Sequence, residues 1–258
     1  MTVDKENGDN SLEPLWLVGY GSLLFKPPLH ELEISKSFKR FPGYLTGFAR
    51  KFWQSSYDNR GTPENKGRVV TIIPSEQIVE NDEFKPDILR YELSPYDEAE
   101  KLINDADSLA KVLKVWGCIY YIPPKYANQA SEYLDLREKD GYTTHDVNFN
   151  VVLSSEEKRD PEIASIISSL SKNLHGEPII KSVVYIGTTG NESFIGPEDV
   201  QQTADIIRTS KGESGPNIEY LLELNKSLQD LDPTDQQRSR DPYLEELVRL
   251  VEEGNASG

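Results

Sequence analysis

Apolar positions along this chain gather in short runs separated by polar stretches, a rhythm of strands first and helices later. Runs at 15–20, 45–53, 68–73, 115–122, 146–153 and 181–186 are each the length of a strand. In the fifth, Val147, Phe149, Val151 and Leu153 alternate with polar neighbours, the period-two pattern of a sheet with one wet face. Helical spacing begins after Pro123-Pro124, a pair suited to a first turn that needs no N–H donors. There Tyr126, Ala130, Tyr133 and Leu134 share one face. Further helices are predicted at 161–170, 197–209, 217–229 and 242–252. Strands followed by helices clustered toward the C-terminus imply an α+β class, a small curved or closed mixed β-sheet (a barrel) flanked by helices. Residues 1–14 read as a disordered acidic tail and 15–230 as a single domain. The acidic, partly helical stretch 80–114 is expected as a surface insertion, and 231–258 as a C-terminal helix and tail.

Composition narrows the function. With 258 residues and 36% hydrophobic side chains the chain can bury a substantial core. A net charge of −16 repels phosphate backbones and anionic headgroups, so neither nucleic acid nor a membrane surface is expected as a partner. Cys118 is the single cysteine, which excludes an internal disulfide, and its apolar setting suggests a packed, inert thiol. The polar N-terminus lacks the pattern of a secretion signal, and no apolar run approaches the ~20 residues of a membrane span. The expected location is cytoplasmic, with the nucleus as the alternative, and the expected state a monomer or dimer.

Familiar nucleophile and metal patterns are missing. His30, His145 and His175 lie in unrelated contexts without metal-ligand spacing. The stretch Gly19-Tyr20-Gly21-Ser22 is neither a nucleophile elbow nor a phosphate loop. Its glycines allow positive φ and remove two Cβ atoms, so backbone N–H groups can turn into a nest for an anion, with Ser22 as a further donor. An ordinary tight turn fits the same residues. In "EYLDLREKDGY", 132–142, the helix pattern ends near Leu136, which leaves Glu138 at the unfavourable end of a helix dipole. A carboxyl group turned into a cleft there would have its pKa raised toward proton exchange at neutral pH, whereas a solvated one would pair with Arg137 or Lys139. Arg60 and Arg68, in the polar connection 54–68, could meet a carboxylate or be plain surface charge.

Five strings, taken together and in order, resemble the ChaC family of γ-glutamylcyclotransferases. They are "VGYGSLLFKPP" (18–28), "RKFWQSSYDNRGTPENKGRVVTIIP" (50–74), "EYLDLREKDGY" (132–142), "VVYIGTTGNESFIGP" (183–197) and "SGPNIEYLLEL" (214–224). The Pro-Pro pairs and long insertion are most similar to the fungal branch. The resemblance implies cleavage of glutathione into 5-oxoproline and cysteinylglycine, a lyase-type reaction without metal or organic cofactor. Other γ-glutamyl amino acids or amines as substrates, or a catalytically silent ligand-binding member, are the alternatives. It implies that Leu17, Val18, Gly19, Tyr20, Gly21 and Ser22 bind the γ-glutamyl group and that Glu138 is the acid/base. Two departures are visible: Gln54-Ser55-Ser56 where relatives often have Gln-Gly-Ser, and Asn59 where they have histidine. No protein nucleophile is needed, because the substrate's own α-amine can attack its γ-carbonyl. Intramolecular attack of this kind reaches effective molarities of ~10⁵ M or more.

Overall fold

A computed structural model describes residues 13–27, 38–137, 142–234 and 236–256. The expected α+β class is observed. Five strands close into a barrel in the order β1 (Leu15–Gly19), β5 (Lys114–Ile122), β2 (Lys39–Thr46), β6 (Tyr142–Val151) and β7 (Ile179–Gly187). Four of the five neighbour pairs are antiparallel; β1 and β7 close the ring in parallel, with Leu17 opposite Val183. Leu17, Phe41, Ile119, Phe149 and Val184 fill the core at 0–1% exposure.

The apolar run at 45–53, which the pattern marks as one strand, is two. Gly47 adopts φ +82°, a left-handed conformation that glycine alone enters without cost. There the chain leaves the barrel for β3 (Phe48–Ser56), which pairs with β4 (Gly67–Pro74) in a separate two-stranded sheet. Both faces of this sheet are covered, so β3 is buried at nearly every position. Phe52, Val70 and Ile72 join the main core, while Ala49, Trp53 and Ile73 face a second apolar cluster.

That second cluster comes largely from residues 75–114, most of them in the stretch 80–114 expected as a surface insertion. Helices α1 (Ser75–Glu80), α2 (Lys85–Tyr91), α3 (Ala99–Leu102) and α4 (Ala106–Val112) supply Ile78, Ile88 and Leu109, each with 0% exposure, and Phe84 precedes α2. Their spacing is too irregular for a long amphipathic stripe, which hides the packing role from a periodicity reading.

The helix starts follow local chemistry. α5 (Pro124–Arg137) opens on a proline and buries Ala130 and Leu134. α6 (Pro161–Ile167) and α7 (Val200–Thr209) begin where Asp160 and Asp199 accept backbone N–H bonds as N-caps. α8 (Asn217–Gln229) and α9 (Pro242–Ala256) then pack Leu221, Leu224, Leu244 and Leu247 into the main core. A short ribbon, β8 (Lys211–Gly212) with β9 (Gly215–Pro216), leads into α8. Among the described residues no helix is long and apolar enough to cross a membrane.

Charged side chains join these parts beneath the surface. Arg50, 2% exposed, meets Asp241 at 3.4 Å, and fully buried Lys51 meets Glu92 at 3.1 Å. The Lys51 ammonium also lies over the rings of Tyr243 (4.4 Å) and Tyr91 (5.0 Å), which partly replace its lost hydration.

Candidate active site

β1 delivers its last residue, Gly19, to the rim of the barrel, where the chain turns sharply. Leu24 N donates to Gly21 O (2.9 Å) and Lys26 N to Ser22 O (2.7 Å), making a short 3-10 turn over Ser22–Leu24. Tyr120 Oη donates to Leu23 O (2.7 Å), and Tyr20 Oη donates to Tyr185 O (2.9 Å). The turn is thereby pinned to β5 on one side and β7 on the other.

The glycines work differently from the sequence expectation. Neither has positive φ; Gly21 is at φ −122°, ψ −127°. Their value is close approach. A Cβ on Gly19 would stand 2.7 Å from Leu23 Cβ, so only glycine lets the chain double back there. A Cβ on Gly21 would stand 3.0 Å from Val70 Cγ2 and 3.1 Å from Tyr220 Oη. It would intrude on a small cleft.

That cleft has a volume of about 50 Å³. Val18, Tyr20, Gly21, Ser22 and Leu23 form one wall. Val70 of β4, Tyr142 of β6, Tyr185 of β7 and Tyr220 of α8 form the others. Leu17 and Gly19 do not line it: Leu17 has 0% exposure inside the barrel, and Gly19 is packed against Leu23 and Cys118. No charged side chain lines the cleft among the described residues. Glu138 lies outside the described residues, between Arg137 at the end of α5 and Tyr142 at the start of β6.

The arginines of the 54–68 connection have other duties. Arg68 grips Glu198 through both Nε (2.6 Å) and an Nη (2.8 Å), a bidentate pair. Arg60, 3% exposed, donates to Pro216 O (2.9 Å) and stands 3.7 Å from Glu219. Asn59 is held by Ser214 (2.8 Å), and Ser55 donates to Ser193 O (3.0 Å). This connection braces the loop before α8 instead of lining the cleft.

Cys118 is fully buried, and burial pushes its thiol up in pKa against the opposing pull of Arg40, as fits an inert packing role. His145 contacts Thr143 Oγ1 at 2.7 Å and His175 is exposed, and neither lines the cleft; His30 lies outside the described residues. No group of three or more His, Cys, Asp or Glu among the described residues is placed to hold a metal ion.

A family model described as ChaC-like protein matches residues 15–254. The chain belongs to the ChaC-like family. This ChaC-like chain is 41% identical over 247 residues to a Saccharomyces cerevisiae protein named glutathione-specific gamma-glutamylcyclotransferase, covering 94% of this chain and 97% of that one. A Schizosaccharomyces pombe protein of the same name is 34% identical, with 92% of each chain covered. A crystal structure described as the γ-glutamylcyclotransferase specific to glutathione from yeast superposes with a TM-score of 0.78 at 38% identity, covering 93% of this chain and 96% of that one. The barrel with its second sheet is thus the family's fold, and the fungal likeness of the sequence strings is borne out.

Val70, Tyr142, Tyr185 and Tyr220 were not singled out from sequence. Tyr220 lies on a helix whose apolar stripe reads as core, and Val70 in a strand that reads the same way. Nothing local marks either as facing a cleft.

Proposed function

We propose that this ChaC-like protein cleaves glutathione by intramolecular cyclisation, releasing 5-oxoproline and cysteinylglycine. The substrate's α-nitrogen attacks the γ-carbonyl carbon, a C–N bond forms to close the five-membered lactam, and the C–N bond to cysteine breaks. Two protons leave the α-nitrogen and two arrive on the departing nitrogen, so no water, metal or redox partner is consumed.

The observation that carries this reading is a cleft built on the Tyr20–Gly21–Ser22 turn and lined by neutral groups alone among the described residues. Such a lining offers hydrogen bonds to the carbonyl oxygen as charge develops on it, but nothing that takes up a proton at neutral pH. Glu138 supplies that function in our reading. It precedes Tyr142, which lines the cleft, by four residues, a chain span of at most about 14 Å. One carboxyl group can carry both protons in turn. Val18, Tyr20, Gly21 and Ser22 then hold the γ-glutamyl group, with Leu17 and Gly19 shaping the turn from behind. The two fungal relatives, aligned over nearly their whole length, support glutathione as the substrate.

The test is incubation of purified protein with glutathione, with γ-glutamylalanine in parallel, reading products by mass spectrometry. Equimolar 5-oxoproline and cysteinylglycine are expected, with little 5-oxoproline from γ-glutamylalanine. Comparable release from both would assign a broader cyclotransferase, and release from neither would overturn the reading.

A further inference from the structure

Tyr220 stands out among the cleft residues because three features converge on its hydroxyl. The first is position. Oη lies 3.1 Å from the point a Cβ on Gly21 would occupy, so a substrate atom set against the bare Gly21 backbone approaches from the side that carries this oxygen. The second is rigidity. The ring is 6% exposed and makes edge contacts with Phe25 (5.7 Å) and Phe52 (5.8 Å), while the buried Arg60 guanidinium lies 5.8 Å from its centroid. The third is polarisation. Oη accepts Val70 N–H (3.4 Å), and the cation against the ring draws electron density from the oxygen; both make the O–H a stronger donor.

We propose that Tyr220 is a catalytic residue whose hydroxyl donates to the γ-carbonyl oxygen as the lactam closes. This rests on the cyclotransferase reading above and deepens it. Fixed dipoles meet negative charge that develops on that oxygen, and the phenol is held where one is needed, in a cleft whose described lining holds no cation. The carbonyl, rather than the substrate's α-carboxylate, is the acceptor. Tyr142 follows Glu138 by four residues and lines the same cleft, so the proposed proton carrier lies within about 14 Å of chain of the wall that Tyr220 shares. A group that strengthens its contact only in the transition state raises kcat without tightening ground-state binding.

The test is Tyr220→Phe, which keeps the ring and its contacts. A fall in kcat of ~10- to 100-fold is expected for loss of one such donor, with KM within about threefold and a melting temperature lowered by only a few degrees as Val70 N–H loses its acceptor. Wild-type kcat, or a loss carried by KM alone, would overturn the proposal. Should that variant fold poorly, fluorotyrosine at position 220 preserves the packing while making the phenol more acidic. Assayed below the phenol's own ionisation, kcat is then expected to rise with donor strength, and a flat response would overturn the proposal. These outcomes are distinct from failure of the underlying reading, in which wild-type protein releases no 5-oxoproline at all.

Discussion

At Gly21 the absence of a side chain keeps the cleft open. Valine there would set its Cβ 3.0–3.1 Å from Val70 and Tyr220 and push its methyl groups into the cleft. Gly21→Val is therefore expected to raise KM and lower kcat together, read by steady-state kinetics with glutathione; an unchanged KM would remove the turn from substrate binding. Glu138 tests the proton path separately. Glu138→Gln removes the transferable proton and is expected to lower kcat at least ~10²-fold, the usual scale for general acid–base catalysis. Asp140→Asn, two residues on, should leave kcat within a few-fold. A Glu138→Gln enzyme with kcat close to wild type would exclude Glu138 from the chemistry. The sequence led to these two positions through an ordered set of motifs, because what each offers is local: one residue lacks a side chain, the other bears a carboxyl group.

Among the elements, the join between β4 and α8 matters most to the cleft. Asn217, with 0% exposure, accepts from Arg68 N (2.6 Å) through Oδ1 and donates to Arg68 O (2.8 Å) through Nδ2. It acts as the missing strand neighbour of β4 and fixes the first turn of α8, one turn before Tyr220. Asn217→Ala would leave a buried N–H and a buried C=O without this partner, at a cost of about 2–4 kcal/mol. Urea denaturation should show that loss, accompanied by lower kcat as Tyr220 loosens; a change under ~1 kcal/mol would mean that the join is held elsewhere. From sequence, this asparagine read only as a helix start. Its second role depends on Arg68, 149 residues away in the chain.

Across the whole molecule, buried charge ties the second sheet to the helical stretch after β4 and to the start of the C-terminal helix. Asp241 is the pivot: burial raises its carboxyl pKa from 3.8 to about 6, the attraction of Arg50 offsetting only part of that cost. Between these values the folded state binds more protons than the unfolded chain. The contribution of Asp241 is therefore fully present below about pH 4 and is lost as pH rises to about 6. At ~1.36 kcal/mol per pKa unit this amounts to at most about 3 kcal/mol. The stability of wild type relative to Asp241→Asn, measured by denaturation from about pH 4 to pH 7, should fall over that interval and then level off. A difference independent of pH would contradict the assignment.

The sequence by itself determined what short-range physics can write. Alternation marked the strands, Pro124 and Pro161 marked helix starts, and the residues of the Tyr20 turn, with the four other strings, identified the family and with it the fold. Tertiary structure decided the rest. The run at 45–53 became two strands because Gly47 takes a left-handed turn whose destination only the second sheet explains. Arg60 and Arg68, candidate substrate anchors in the sequence, are occupied by Pro216 and Glu198, partners far along the chain. The cleft itself joins residues near 20, 70, 142, 185 and 220. No periodicity records such a meeting, since side-chain spacing reports only which face of its own element a residue occupies, while packing between elements determines what that face meets.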